Sequence, residues 1–482
     1  MTKNNPAAGT PAGSTESKAE STVADPTPAQ MHAAPPVGVL PSVRAPQPLQ
    51  FRLSNGLEVV AVRREVAPIV ALNLVLRTGA DHDGVERAGL SSLTAEMLDE
   101  GAGDREAIEL AEALEQLGAD LFLGTGRDGS QMTLQVPTDE FANALAIAAD
   151  VVLRPRLREA DWERVVHDRL TALGQRRDQP ESVADLIAAV TLFGAEHPYG
   201  RPVDGYERTV KSLSLDDVRR FHSAFWRPNN AVIALAGDFD PTTLQRDLEH
   251  ALGPWKAGPI PPSPPSPEFP ALPRLVLVDR PGAPQSVVRV IGPGSRRHAP
   301  DRPALQMLNV VLGGSFTSRL NFVLREQKGY TYGAGSTFST YRRPSSFSAR
   351  SSVFTKVTAP AVGDFLTEIG RMSTDDIAPA ELTKARASLL GRTAEALSTS
   401  SGTAATFAEI GLYELPVDEP ARFIEAVSAT GAADLRALAA RYLDPDRLGI
   451  VIVGDRAAIE PELRAMGLPA PILRDADGSV LA

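Results

Sequence analysis

Apolar and polar positions in the first half of the chain change period several times, and each change marks an element. LEVVAVRR (57–64) and IVALNLVLRTG (69–79) read as strands. In GLSSLTAEMLDEG (89–101), Leu90, Leu93, Met97 and Leu98 recur at helical spacing, so one face of a helix packs inward. Ser92, Ala95 and Glu96 take a first, fourth and fifth position on it. DREAIELAEALEQL (104–117) predicts another helix, DLFLGTG and SQMTLQVP a strand pair, and long helices follow over 139–152 and 159–177.

The same order then recurs. EVAPIVALNLVLRTGA (65–80) matches RPGAPQSVVRVIGPGS (280–295), and VRRFHSAFWRPNNAVIALAGD (218–238) matches LRALAARYLDPDRLGIVIVGD (435–455). Pro68 and Pro284 are separated by nearly the same interval as Pro228 and Pro445, which points to a duplicated domain. AGPIPPSPPSPEFPALPR lies between the copies, too rich in proline to continue a helix or central strand. The expected fold class is α+β: two duplicated domains, each a mostly antiparallel sheet with helices on one face, forming half of a clamshell. The expected boundaries are a flexible tail at 1–46, an N-terminal domain at 47–256, a proline-rich linker at 257–274, a C-terminal domain at 275–467 and a C-terminal tail at 468–482.

Composition narrows the chemistry. The chain has 482 residues, a formal net charge of -11 and no cysteine. The acidic balance argues against a nucleic-acid surface, and the missing cysteines remove disulfides, thiolate ligands and a thiol nucleophile. No signal-peptide core or membrane-spanning run is visible, so a cytoplasmic location without membrane association is expected. No two of the seven histidines (His32, His82, His167, His197, His222, His250 and His298) lie at a spacing that puts metal ligands on one helical face. GxSxG, P-loop and dinucleotide fingerprints are missing as well.

LGGSFTSRLNFVLREQKGYTYGAGSTF (312–338) is the most informative stretch. A helix is expected to end at Gly313–Gly314, a short one to run to about Glu326, and Gly329 to break into a strand bearing Tyr330 and Tyr332 on one face. One reading makes Arg325 a surface cation and both tyrosines packing residues. The other makes Arg325 and Tyr332 donors to a substrate carbonyl or a developing oxyanion.

GGSFTSRL followed by LREQKGYTYG resembles the second-half signature of the insulinase/pitrilysin family, in its short-chain branch with mitochondrial processing peptidase. The resemblance spans nearly all of residues 50–460, including HPYGRPVDG and FWRPNNAVIALAGDFD. Active members carry HxxEH on a helix after the first glycine turn: two histidines bind zinc with a downstream glutamate, and the motif's own glutamate is the general base. The resemblance puts Ser92 at the first ligand, Ala95 at the base and Glu96 at the second ligand, with Thr171 or Ala172 near the downstream one. Serine, alanine and threonine cannot replace imidazole and carboxylate in that set.

What remains of the family pattern is Arg325 and Tyr332 as catalytic residues, with Tyr330, Gly313, Gly314 and Ser315 as substrate-binding neighbours. In two-chain bacterial members one subunit carries HxxEH and the other the Arg/Tyr pair. The resemblance therefore implies a metalloendopeptidase subunit inactive alone, which binds no cofactor itself. A homologous HxxEH partner would supply the zinc in a heterodimer that cleaves peptides or processes a precursor. The alternatives are a catalytically inactive scaffold and a homodimeric peptide binder.

Overall fold

The computed structural model describes residues 43–265 and 267–481. Nearly all of the tail expected at 1–46 lies outside them. The first half supplies strands β1 (Leu49–Arg52), β2 (Glu58–Arg63) and β3 (Ile69–Leu76), then helix α1 (Leu90–Leu98). A two-stranded ribbon, β4 (Gly101–Ala102) with β5 (Arg105–Glu106), leads into α2 (Ala107–Gln116) and the hairpin β6 (Asp120–Thr125) and β7 (Ser130–Pro137). Helices α3 (Phe141–Leu153), α4 (Glu159–Asp178), α5 (Pro180–Phe193) and α6 (Leu215–Phe225) follow, then β8 (Ala231–Gly237) and α7 (Leu244–Leu252). The sheet order is β1-β2-β8-β3-β7-β6, antiparallel except where β2 meets β8.

The second half repeats this with β9 (Leu275–Asp279), β10 (Gln285–Pro293), α8 (Arg302–Leu312), β11 (Ala334–Phe338) and β12 (Ser346–Phe354). Then come α9 (Thr358–Thr374), α10 (Pro379–Ala396), α11 (Ser400–Leu412), α12 (Glu419–Ala429), α13 (Ala432–Tyr442), β13 (Gly449–Gly454) and α14 (Arg456–Ala465). Its order, β11-β12-β10-β13-β9 and then β14 (Ile472–Leu473), mirrors the first sheet strand for strand apart from the outermost β1 and β14. The registers agree too: Leu74 faces Ile233 as Val290 faces Ile450. The expected C-terminal tail does not hang free. Ile472–Leu473 forms β14 and pairs in parallel with β9.

Helices of each half cover one sheet face, as the amphipathic pattern requires. The opposite faces are covered reciprocally. Ala404, Phe407, Ala408 and Ile410 of α11 pack on Ala71, Val75, Val232 and Ala234 of the first sheet. Val183, Ala184 and Ile187 of α5 pack on Val276, Val287, Val451 and Val453 of the second. Strands buried on both faces favour apolar side chains at nearly every position, which accounts for the runs IVALNLVL, broken only by Asn73, AVIALAG and GIVIVG.

A buried polar seam joins the halves. Asp128 accepts from the Tyr199 hydroxyl and from the Arg342 backbone N–H (2.7 Å), and the Arg343 N–H donates to the Tyr199 hydroxyl (3.2 Å). Asp81 pairs with His82 (2.7 Å) and with Arg342 (3.5 Å). His197 accepts the Tyr199 N–H through Nδ1 (3.0 Å). Burial, reinforced by the charges of Arg343, Arg201 and Arg127, pushes its pKa down to about 4.

All three tryptophans, Trp162, Trp226 and Trp255, lie in the first half, and Phe407 lies in the second. Phe407→Ala is expected to destabilise the chain by about 3–5 kcal/mol. Because α11 belongs to the first sheet's packing, urea unfolding followed by tryptophan fluorescence should show that shift. A tryptophan transition unchanged by the substitution would contradict the coupling. His197 titrates lower in the folded state than its unfolded value of 6.5, so the neutral ring is the stable one. Its contribution is complete above pH 6.5 and is lost as pH falls toward 4. His197→Asn, which keeps an acceptor for Tyr199, should flatten the chain's pH-dependent unfolding in that window.

Candidate functional site

Helix α1 begins at Gly89, whose φ of 101° is a conformation that favours glycine. A Cβ there would also press on the Asp204 carbonyl. Asp83 anchors the first turn by accepting the N–H groups of Gly89 and Ser91 (both 3.0 Å) and the Ser91 hydroxyl (3.1 Å). Burial pushes the Asp83 carboxyl up to about 7, against those hydrogen bonds and the charge of Arg201.

Ser92 and Ala95 are buried, while the Glu96 side chain is 45% exposed. The group lying against them is Arg169 of α4, its side chain only 6% exposed. Arg169 donates to the Ser92 hydroxyl (2.9 Å), to the Glu96 carboxylate and to the Asp204 carbonyl (3.0 Å). Thr171 and Ala172, expected from the resemblance at the downstream position, are both exposed on α4. The buried face of that helix is Trp162, Val165, Arg169 and Leu173.

These residues do not fit zinc. A hydroxyl, a methyl group and one half-exposed carboxylate surround a fixed cation, which repels a metal ion and has no lone pair to give it. Among the described residues no group of three or more His, Cys, Asp or Glu is placed to hold a metal. Arg169 was missed in the sequence although a signal was present: it is a charge on the apolar stripe of α4, at helical spacing from Val165 and Leu173.

In the second half, α8 ends at Leu312, and a short helix Arg319–Asn321 widens into a π-turn over Phe322–Gln327. The segment after Gly329 does not become a strand at once, because β11 starts at Ala334. Tyr330 and Tyr332 therefore lie in a loop, where equal parity sets no common face. Tyr330 packs partly into the second core, whereas Tyr332 is 90% exposed. Arg325 lies over the Phe316 ring (4.2 Å to its centroid) and pairs with Glu326 (3.4 Å). No hydrogen bond or stacking contact joins Arg325 to Tyr332 among the described residues.

Gly313, Gly314 and Ser315 line a cavity of about 920 Å³ in the second half. The Gly313 carbonyl accepts the Ser336 N–H (3.1 Å), and Asn321 Oδ1 accepts the Ala334 N–H (2.8 Å). A Cβ at Gly313 would collide with Ser336, so glycine is required for this approach. The outward N–H groups of Ala334 and Ser336 are thereby used, so an added strand cannot pair with them.

Residues 58–198 match the family described as Insulinase (Peptidase family M16), and residues 212–389 match the peptidase M16 inactive domain. With both of the family's domains matched in order, the chain belongs to the insulinase family. Uncharacterized zinc proteases of Mycobacterium tuberculosis and Mycobacterium bovis are each 27% identical to it over 87% of this chain and 96% of their own length. A peptidase M16 inactive domain from Pseudomonas fluorescens has the same fold, with a TM-score of 0.79 at 23% identity, covering 85% of this chain and 98% of that one. A protease from Helicobacter pylori gives the same TM-score at 18% identity, over 85% of this chain and all of its own (100%).

Arg169→Met should cost about 1–3 kcal/mol, the range for charge-assisted hydrogen bonds, with the exposed Glu96 adding little. Chemical denaturation of the variant beside the parent chain measures it. An unchanged midpoint would show that Arg169 does not hold α1 to α4.

Proposed function

We propose that this chain is the non-zinc subunit of a heterodimeric zinc metallopeptidase in the cytoplasm, working beside a homologous partner that carries HxxEH. The observation carrying this reading is the contrast between the halves. In the first, Arg169 fills the place of the metal chemistry. In the second, Tyr332 stands exposed, and among the described residues the Arg325 guanidinium has only Glu326 and the Phe316 ring as partners. Among the described residues no helix is long and apolar enough to cross a membrane.

Peptide hydrolysis needs a Lewis acid, a base for the attacking water and donors for the oxyanion. The partner would supply the first two. Arg325 and Tyr332 would supply the third, a fixed cation and a phenolic O–H aimed at the scissile carbonyl as its oxygen gains charge. The exposure of Tyr332 suits this task, since that donor must reach across to a peptide held against the other subunit. A catalytically inactive scaffold is the competing reading, favoured by the purely structural bonding of Arg169, and it requires nothing of Arg325 or Tyr332.

In a pair reconstituted with an HxxEH homologue, Arg325→Ala or Tyr332→Phe should each lower turnover by about 10²–10³. Dimer formation by size-exclusion chromatography should not change. Full cleavage by the pair bearing both substitutions would sink the assigned roles and favour the scaffold.

A further inference from the structure

The duplication that sets α1 beside β6 and α4 sets α8 beside β11 and α10. Counting back from the last residue of each helix, Leu98 or Leu312, the positions of Ser92, Ala95 and Glu96 correspond to Gln306, Asn309 and Val310. In the first half a guanidinium occupies the space before these positions. In the second that space is the open cavity of about 920 Å³, and Gln306, Asn309 and Val310 all line it.

Its charge is set against the rest of the molecule. Four arginines and two glutamates line it, in a chain of net charge -11. Arg297 is taken by Glu409 (2.9 Å) and Arg302 by Glu419 (2.6 Å). Arg392 has no carboxylate and donates to the Gly314 carbonyl (2.9 Å). Arg350 has no ion pair or hydrogen bond among the described residues; at the rim it flanks Asp185, which Arg289 holds at 2.7 Å. Arg297 Nε is buried without a partner. Asn309 Oδ1 is committed to the Ser336 hydroxyl (2.7 Å), which leaves its NH₂ as a donor. Val310, Leu389 and Phe423 add apolar wall.

We propose that this cavity is a peptide-binding site of this chain that selects a carboxylate. An acidic peptide segment enters with its carboxylate against Arg392 and Arg350, its amides toward Gln306 and Asn309, and an apolar neighbour against Val310 and Leu389. Because the N–H groups of Ala334 and Ser336 on the adjoining strand are already used, recognition rests on these side chains rather than on main-chain pairing with those two groups. The site needs only this chain and stands whether or not a second subunit hydrolyses the peptide.

Fluorescence anisotropy of the full chain with a short labelled peptide of alternating glutamate and leucine, ending in a free carboxylate, tests the proposal. Matched peptides carry glutamine for glutamate, an amide end, or both, which separates side-chain from terminal carboxylates. The acidic peptide should bind. Removing its carboxylates, or introducing Arg350→Gln with Arg392→Gln, should weaken binding by about tenfold to a hundredfold. A circular-dichroism melt confirms that the double variant is folded, and Arg350→Gln alone, with no bond to lose, should already show part of the loss. Arg246→Gln, an exposed arginine on α7 of the first half, should bind as the parent does. No binding, equal binding of the fully neutral peptide, unchanged binding by the folded double variant, or an equal loss in Arg246→Gln would each overturn the proposal.

Discussion

The reciprocal packing of α5 and α11 is the constraint on which the rest of the structure depends. Each sheet has one face buried by its own helices and the other by a helix lent from the opposite half. Phe407 and Ile187 are almost fully buried in these borrowed contacts, each worth about 1.5–3 kcal/mol by transfer from water. Neither half could leave the other without exposing a complete apolar sheet face. The buried seam works in the same sense, since separating the halves would take the Arg342 N–H from Asp128 and the Arg342 guanidinium from Asp81. The duplicated domains thus form one rigid frame, and equivalent helices in the two halves are held at equivalent places.

Against that frame the two copies differ in what they do with one position. Zinc needs lone pairs; a guanidinium needs acceptors. A serine hydroxyl and a backbone carbonyl accept from Arg169 although they would be poor zinc ligands, so the buried guanidinium is satisfied there. The remaining carboxylate, Glu96, keeps a cation beside it and stays partly in water, which spares the desolvation cost of a fully buried pair. In the second copy no side chain of the described residues fills the corresponding space. Arg392 comes from the equivalent helix but bonds to the Gly314 carbonyl, and the cavity survives.

The architecture was legible because its signals are long. Two-sided burial produces apolar runs such as IVALNLVL and GIVIVG, and a duplication separated by a proline tether repeats them at constant spacing. What stayed hidden depends on contacts remote in sequence or on short elements. Parity arguments for Tyr330 and Tyr332 presuppose a strand, and Gly329 (φ 62°) starts a loop instead. Strand β14 spans Ile472–Leu473 alone, too short to leave a period. The link from Arg169 to Glu96 crosses between helices far apart in the chain, so the composition of α1 can show that a metal set is missing but not what replaced it. The Ala334 and Ser336 N–H groups of β11 are likewise taken by an amide side chain and a carbonyl, neither of which has a sequence signature.

The same comparison bears on why Arg325 and Tyr332 differ from ordinary surface residues. Phe316, Phe322 and Tyr332 are 67%, 54% and 90% exposed, all on the segment that leads from α8 to β11. Single exposed aromatics are commonplace, but three on one short segment concentrate exposed apolar surface there among the described residues. Arg325 lies over one of these rings, with its cation against the π face. That stacking restricts the guanidinium, which under the subunit reading lowers the entropy lost on donating to a carbonyl. For the subunit reading the arrangement supplies a pre-oriented donor beside an apolar surface that a second chain can cover, whereas the first half holds its own cation inside.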